Sequence, residues 1–321
     1  MGVSPAVEAE LLGRVRAGDR RALARLLSAV ERGADGELAA ALQAGGETPY
    51  TVGLTGAPGA GKSTLTDALI AAVRSRGERC AAFAVDPSSP FTSGAVLGDR
   101  VRLRPEHAGD DGVFVRSFAN RGRLGGLAAA LPNAIRALAL GGWPQVVIET
   151  VGVGQTEVDI AAWADTAIVV VTPGWGDEVQ ANKSGLMEIA DLLVVNKADR
   201  KGVGLVEADL ERMLDMSEPR DWRPPVIATV ATEGRGADEV WDAVERHRRH
   251  LEESGELERR RRRRIAGELR QEVSAAISRE VAAALRDGAG AELVAAALDG
   301  SLAPAQAARE LLALGRAQER G

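Results

Sequence analysis

Eight consecutive residues, Gly56, Ala57, Pro58, Gly59, Ala60, Gly61, Lys62 and Ser63, have the types and order needed to hold a polyphosphate. Glycines let successive backbone N–H groups curl around an anion at a helix N-terminus, a lysine brings a movable charge to the β- and γ-phosphates, and a hydroxyl reaches Mg²⁺. Lys62 and Ser63 take the last two parts, and Thr64 leads into a helical stretch. Only four of the 40 basic residues are lysines: Lys62, Lys183, Lys197 and Lys201. In a chain whose habitual cation is arginine, a lysine in this register marks a place that a planar guanidinium does not fit.

A second group, Asn196, Lys197, Ala198 and Asp199, has the chemistry to read a purine. The Asp199 carboxylate accepts from both the ring N1–H and the exocyclic amine of guanine, and adenine offers neither there. Lys197 would lay its stem along the base, and Asn196 would tie the loop together. Further on, Thr229, Val230 and Ala231 end an apolar run, where a backbone N–H would meet the guanine O6.

Acids follow two other apolar runs, at the places where Mg²⁺ and an attacking water would lie: Asp86 and Glu149. Gly152, three places after Glu149, would offer its N–H to the γ-phosphate, so that loss of that phosphate releases the segment. Asp99 is a water-mediated metal partner in the same scheme. The expected catalytic set is therefore Lys62, Asp86 and Glu149, and the expected metal set is Ser63, Asp86, Asp99 and Glu149. A long glycine-bearing loop carries Asp177, Glu178 and Lys183 and reads as a switch.

These residues need a frame that delivers them to one place. Short apolar runs at 51–55, 80–85, 113–116, 145–149, 166–172, 192–196 and 226–229 alternate with helical stretches, which predicts an α/β fold with a mostly parallel sheet covered by helices. Residues 1–48 read as two or three amphipathic helices, from spacing such as Leu23, Leu26, Leu27 and Val30, closed by Gly45 and Gly46. Residues 49–248 form the nucleotide domain. Residues 249–321 are helical, with breaks at 288–290 and 300–304. Val273, Ile277, Val281 and Leu285, four apart, predict a face buried against a second copy.

Composition removes other classes. Hydrophobic residues at 45% and charged residues at 27% are those of a globular chain. The single cysteine, Cys80, excludes an internal disulfide and a multi-cysteine metal cage. No apolar run approaches the ~18 residues of a membrane span, and no leader pattern is present, so the expected location is the cytoplasm, away from membrane. Six consecutive arginines, 259–264, follow Glu252, Glu253, Glu256 and Glu258; with a net charge of −6 they read as a solvated helix face with i,i+4 pairs and not as a nucleic-acid stripe.

Taken together, the phosphate loop, Val85, Asp86, Pro87, Ser88, Ser89 and Pro90 continuing to Leu97, Gly98, Asp99 and Arg100, the glycine run 121–126, the block from Glu149 to Gln155, and residues 185–191 leading into Asn196 resemble the MeaB/ArgK family. The resemblance implies a P-loop GTPase using GTP/GDP and Mg²⁺, flanked by N-terminal helices and a C-terminal helical dimerisation arm, and therefore a homodimer. It implies a chaperone that gates adenosylcobalamin delivery to an acyl-CoA mutase, chiefly methylmalonyl-CoA mutase, with a cobalamin adenosyltransferase as a further candidate partner. It also places Lys183 in a loop that couples nucleotide state to the mutase. The sequence departs from the family pattern at Val230, commonly serine, and near Pro304, where an aromatic is common. Two alternatives stand beside it: a nickel-enzyme metallochaperone, which would need ligands beyond Cys80, His107, His247 and His250, and an RNA-binding GTPase using the arginine run.

Overall fold

The computed structural model describes residues 5–33, 36–43, 45–86, 107, 109–119, 126–150, 163–174, 188–218, 220–286 and 288–318. All seven apolar runs are strands: β1 Tyr50–Thr55, β2 Cys80–Asp86, β3 Val113–Ala119, β4 Gln145–Thr150, β5 Thr166–Val171, β6 Leu192–Asn196 and β7 Val226–Thr229. They form one sheet in the order β3-β2-β4-β1-β5-β6-β7, every pairing parallel. β3 runs past its expected stretch because Ser117, Phe118 and Ala119 go on pairing with Ala84, Val85 and Asp86 of β2 and Phe118 is buried; within the strand, Arg116 donates to Ala24 O, Ser28 Oγ and Glu31 Oε2 of a neighbouring helix.

The helices whose bounds lie within the described residues are α1 Pro5–Arg16, α2 Arg20–Gly33, α3 Gly36–Gln43, α4 Lys62–Ser75, α5 Gly126–Leu140, α6 Val203–Met216, α7 Ala237–Glu253, α8 Glu256–Ala284, α9 Gly288–Leu298 and α10 Pro304–Gln318. Alternation along the strands decides which helices cover which face. On β4, Val146 and Ile148 join Phe83, the α2 leucines Leu26 and Leu27, and Leu138 of α5. Val147 points the other way, into a cluster with Val52, Leu54, Leu65 and Leu69 of α4, and Val240 of α7. A third cluster packs Val169, Val171, Leu193 and Val195 against Leu210 of α6. The N-terminal helices thus share a core with the sheet. Gly46 makes their junction with α5 possible, since a Cβ there would lie 2.3 Å from Ala139 O.

The chain divides into two compact units, Met1–Ile265 and Ala266–Gly321. In the second, built from the rest of α8 with α9 and α10, Leu269, Val273 and Ile277 are about half exposed. Among the described residues no helix is long and apolar enough to cross a membrane.

The arginine run differs from expectation in half of its members. Arg259 and Arg263 pair with Glu256, and Arg262 with Glu258, as a solvated face would. Arg260 instead grips Asp191 through both oxygens at 2.8 and 2.9 Å, while Arg261 and Arg264 meet Asp165 at 3.1 and 2.9 Å. Asp165 is fully buried just before β5, and Asp191 is buried just before β6. Helical periodicity turns residues 260, 261 and 264 onto one side, so three guanidiniums face the amino ends of the strands. Burial alone would raise the Asp165 pKa, but Arg264 and Arg261 outweigh it and hold the carboxyl below its usual range.

The same end holds a neutral histidine. His247, fully buried, has Nδ1 2.8 Å from Thr166 Oγ1 and Nε2 3.3 Å from Asp191, and Thr166 Oγ1 lies 2.6 Å from the Tyr50 hydroxyl. Burial pushes its pKa down to about 4 although Asp191 opposes the shift.

Candidate nucleotide site

β1 lies between β4 and β5, and its carboxyl end is where an open parallel sheet presents a crevice to a ligand. The chain leaves β1 through Gly56 at φ 139°, where a Cβ would sit 2.1 Å from Val170 O on β5. Gly61, at φ 89°, brings the loop into α4, and no side chain caps that helix. The first-turn N–H groups and the positive end of the helix dipole are therefore turned to the loop 56–63. Pro58 and Gly59 form its exposed rim, Ser63 is half-buried and Thr64 exposed. Lys62 is buried, and its ammonium donates to Gly56 O at 2.5 Å and Ala57 O at 3.1 Å, which folds its charge inside the loop.

Asn196 joins the two motifs across 136 positions of sequence. Its Nδ2 donates to Ala60 O at 2.9 Å, while its Oδ1 accepts from Thr229 Oγ1 at 3.1 Å and from the Ala231 N–H at 3.2 Å. One buried amide therefore ties the phosphate loop, the end of β6 and the end of β7 together. The packing is close enough that a Cβ at Gly61 would lie 2.4 Å from Asn196 Nδ2. Lys197 adopts φ 59° and donates to Gly59 O at 2.6 Å, a second strap between the motifs. Asp199 is exposed in the turn beyond. Residues 229–231 differ from expectation in what their donors do. The Val230 N–H goes to Arg235 O and the Ala231 N–H to Asn196, so these two serve the frame of the site.

Glu149 ends up at the first turn of α4. Its backbone is set between Leu54 of β1 and Ala84 of β2, and the side chain is 1% exposed. Oε1 accepts from Ser63 Oγ at 2.8 Å, and Oε2 from Thr66 Oγ1 at 2.7 Å. Ser63 and Glu149, paired on sequence grounds only as fellow metal ligands, are thus in direct contact. Thr66 has no place in the phosphate motif; its one sequence signal is lying three residues after Ser63 on the same helix face. Asp86 closes β2 beside Ala119. Its side chain, together with Asp99, Gly152, Asp177, Glu178 and Lys183, lies outside the described residues.

An oxygen-only set around Ser63 and Glu149 suits a hard cation such as Mg²⁺. The softer candidates are engaged elsewhere. Cys80 is buried in β2, its thiol pushed up by burial to about 12, His107 Nδ1 lies 2.8 Å from Asp67 Oδ1, and His247 belongs to the far end of the sheet.

A family model described as methylmalonyl Co-A mutase-associated GTPase MeaB matches residues 23–286. A Pyrococcus abyssi protein that carries a GTPase designation is 48% identical over 267 residues, 81% of this chain and 82% of its own length. GTPase ArgK of Escherichia coli is 34% identical over 84% of each chain. The mouse protein named methylmalonic aciduria type A homolog, mitochondrial, is 36% identical over 66% of this chain and 52% of its own. Among solved structures, one of an LAO/AO transport system kinase superposes with a TM-score of 0.73 at 27% identity, covering 98% of this chain and 100% of that one.

Proposed function

The chain belongs to the family of methylmalonyl-CoA mutase-associated GTPases, MeaB, and from that premise we propose that it is a GTP-driven chaperone of an adenosylcobalamin-dependent acyl-CoA mutase. As a member of that family it is a P-loop GTPase that binds guanine nucleotide. Lys62 and the loop N–H groups take the phosphates, and Asp199 reads the base. Ser63 and Glu149 would hold Mg²⁺, with Asp86 on the neighbouring strand end as a further acid; bound there, the cation would offset charge developing on the phosphates. Ser63 donates its hydroxyl hydrogen bond to Glu149, which leaves the serine lone pairs for the cation.

The observation that carries the nucleotide half is Asn196, whose three hydrogen bonds make the phosphate loop and the base-reading turn one body. What supports the mutase half is the family match and the mouse relative. In this scheme Asp177, Glu178 and Lys183 report nucleotide state to the client, which GTP binding licenses to receive its cofactor. By linkage, GTP then changes affinity for the mutase by the same factor as the mutase changes affinity for GTP. The measurement is GTP turnover with and without apo-mutase, for wild type and Lys183→Ala. Stimulation of wild type and a smaller response of the variant is expected; no stimulation by any acyl-CoA mutase would remove the client.

Self-association belongs to the same proposal, supported by the half-exposed Leu269, Val273 and Ile277 of α8. Light scattering of Val273→Glu with Ile277→Glu should show a monomer where wild type is a dimer.

A further inference from the structure

We infer that Thr66 is a positioning residue for the metal side of the nucleotide site: it fixes Glu149 so that the carboxylate accepts the Ser63 hydrogen bond and Ser63 turns its lone pairs to the cation. This rests on the Mg²⁺ site proposed above and adds a residue that neither the phosphate motif nor the acid positions contain.

Three observations carry it. The Glu149 backbone is held in register by two neighbouring strands, so its side chain leaves β4 from a fixed point. The terminal torsion of a glutamate is broad, and two donors on its two oxygens fix that torsion more closely than one. Here Oε1 is held by Ser63 and Oε2 by Thr66, at 2.8 and 2.7 Å. Because Ser63 and Thr66 lie three apart on α4, one helix face presents both hydroxyls to both oxygens. Thr66 is fully buried, so its hydroxyl is given to this contact and not to solvent.

The consequence falls on Ser63. A serine hydroxyl has one proton and two lone pairs, and it binds a cation only through the latter. With Oε1 held in place, the proton has a fixed acceptor and the lone pairs are directed away from Glu149. Losing the Thr66 donor loosens the orientation of Oε1 towards Ser63, and the serine proton then competes with the cation. Partners that orient a ligand in this way are typically worth 10- to 100-fold in metal affinity.

The test reads cation binding directly. Mn²⁺ is titrated into the full-length protein bound to GDP and followed by the loss of its free-ion resonance, and GTP turnover is measured across a Mg²⁺ series. Thr66→Val and Thr66→Ala, which lack the donor, should weaken Mn²⁺ binding about tenfold and raise the Mg²⁺ needed for half-maximal turnover in step. GDP affinity in the presence of a chelator should stay at the wild-type value. Thr66→Ser, which keeps the donor, should restore Mn²⁺ binding. Wild-type Mn²⁺ affinity in the valine variant would overturn the role, as would a serine variant impaired as badly as the valine one, which would leave packing as the only effect. A wild-type GDP complex that binds no Mn²⁺ would instead remove the metal site itself, and the inference with it.

Discussion

The two ends of one parallel sheet handle buried polar groups in opposite ways. At the carboxyl ends, Glu149 and Asn196 are held by hydroxyls and by backbone N–H and C=O groups. At the amino ends, Asp165 and Asp191 also accept from backbone N–H groups, of Thr51 and Ala167, but are paired in addition with the guanidiniums of Arg260, Arg261 and Arg264. Hydroxyls orient a carboxylate without cancelling its charge, whereas a guanidinium neutralises it. One end is therefore kept suited to a cation and a polyphosphate, and the other is closed off as a joint between the sheet and the start of α8.

That comparison breaks most visibly if Asp165→Ala is tolerated. Removing one partner of a buried ion pair leaves Arg261 and Arg264 without the carboxylate they share, and the expected loss of stability is about 3–5 kcal/mol. Chemical unfolding measures it, and turnover per folded molecule should be unchanged. Lys62→Ala should do the reverse: unfolding close to wild type, with turnover lowered roughly 10²- to 10³-fold, or about 3–4 kcal/mol. Lys62→Arg should be equally inactive in single-turnover assays, because the broad guanidinium does not fit the loop.

The histidine at the closed end gives a pH dependence of known sign. His247 titrates at about 4 when folded, below the ordinary value of about 6.5, so the unfolded chain takes up a proton first as pH falls. Stability should decline from pH 6.5 towards 4, by about 2 kcal/mol at pH 5, and thermal unfolding of His247→Gln should show a smaller decline. The smallest effect belongs to the base. Asp199→Asn replaces an acceptor by an amide that donates to the 2-oxo group of xanthine, which should shift preference from GDP to XDP on the order of tenfold by calorimetry.

How much of this could be read in advance differs between the two ends for a physical reason. The phosphate loop is eight adjacent residues and the base-reading turn is four, so their chemistry is written locally and their spacing carries it. The seven strands were legible for the same reason, as runs of apolar residues bounded by breaks. The arginine run misled because i,i+4 arithmetic sees only the helix itself: it finds Glu258 for Arg262, but not Asp191 for Arg260 or Asp165 for Arg264. Those acids lie 69 and 99 positions away.

From its sequence alone this protein declares a parallel α/β frame, a phosphate loop, a guanine-reading turn and the acids at two strand ends, because each is set by short-range pattern and by the preference of individual residue types. Only the tertiary structure decided that β1 lies between β4 and β5, that Asn196 bonds to Ala60, that Thr66 shares Glu149 with Ser63, and that three of six arginines are turned inward. Strand order is fixed by the packing of helices on both faces of the sheet, and a side chain meets a partner a hundred residues away only after that order exists.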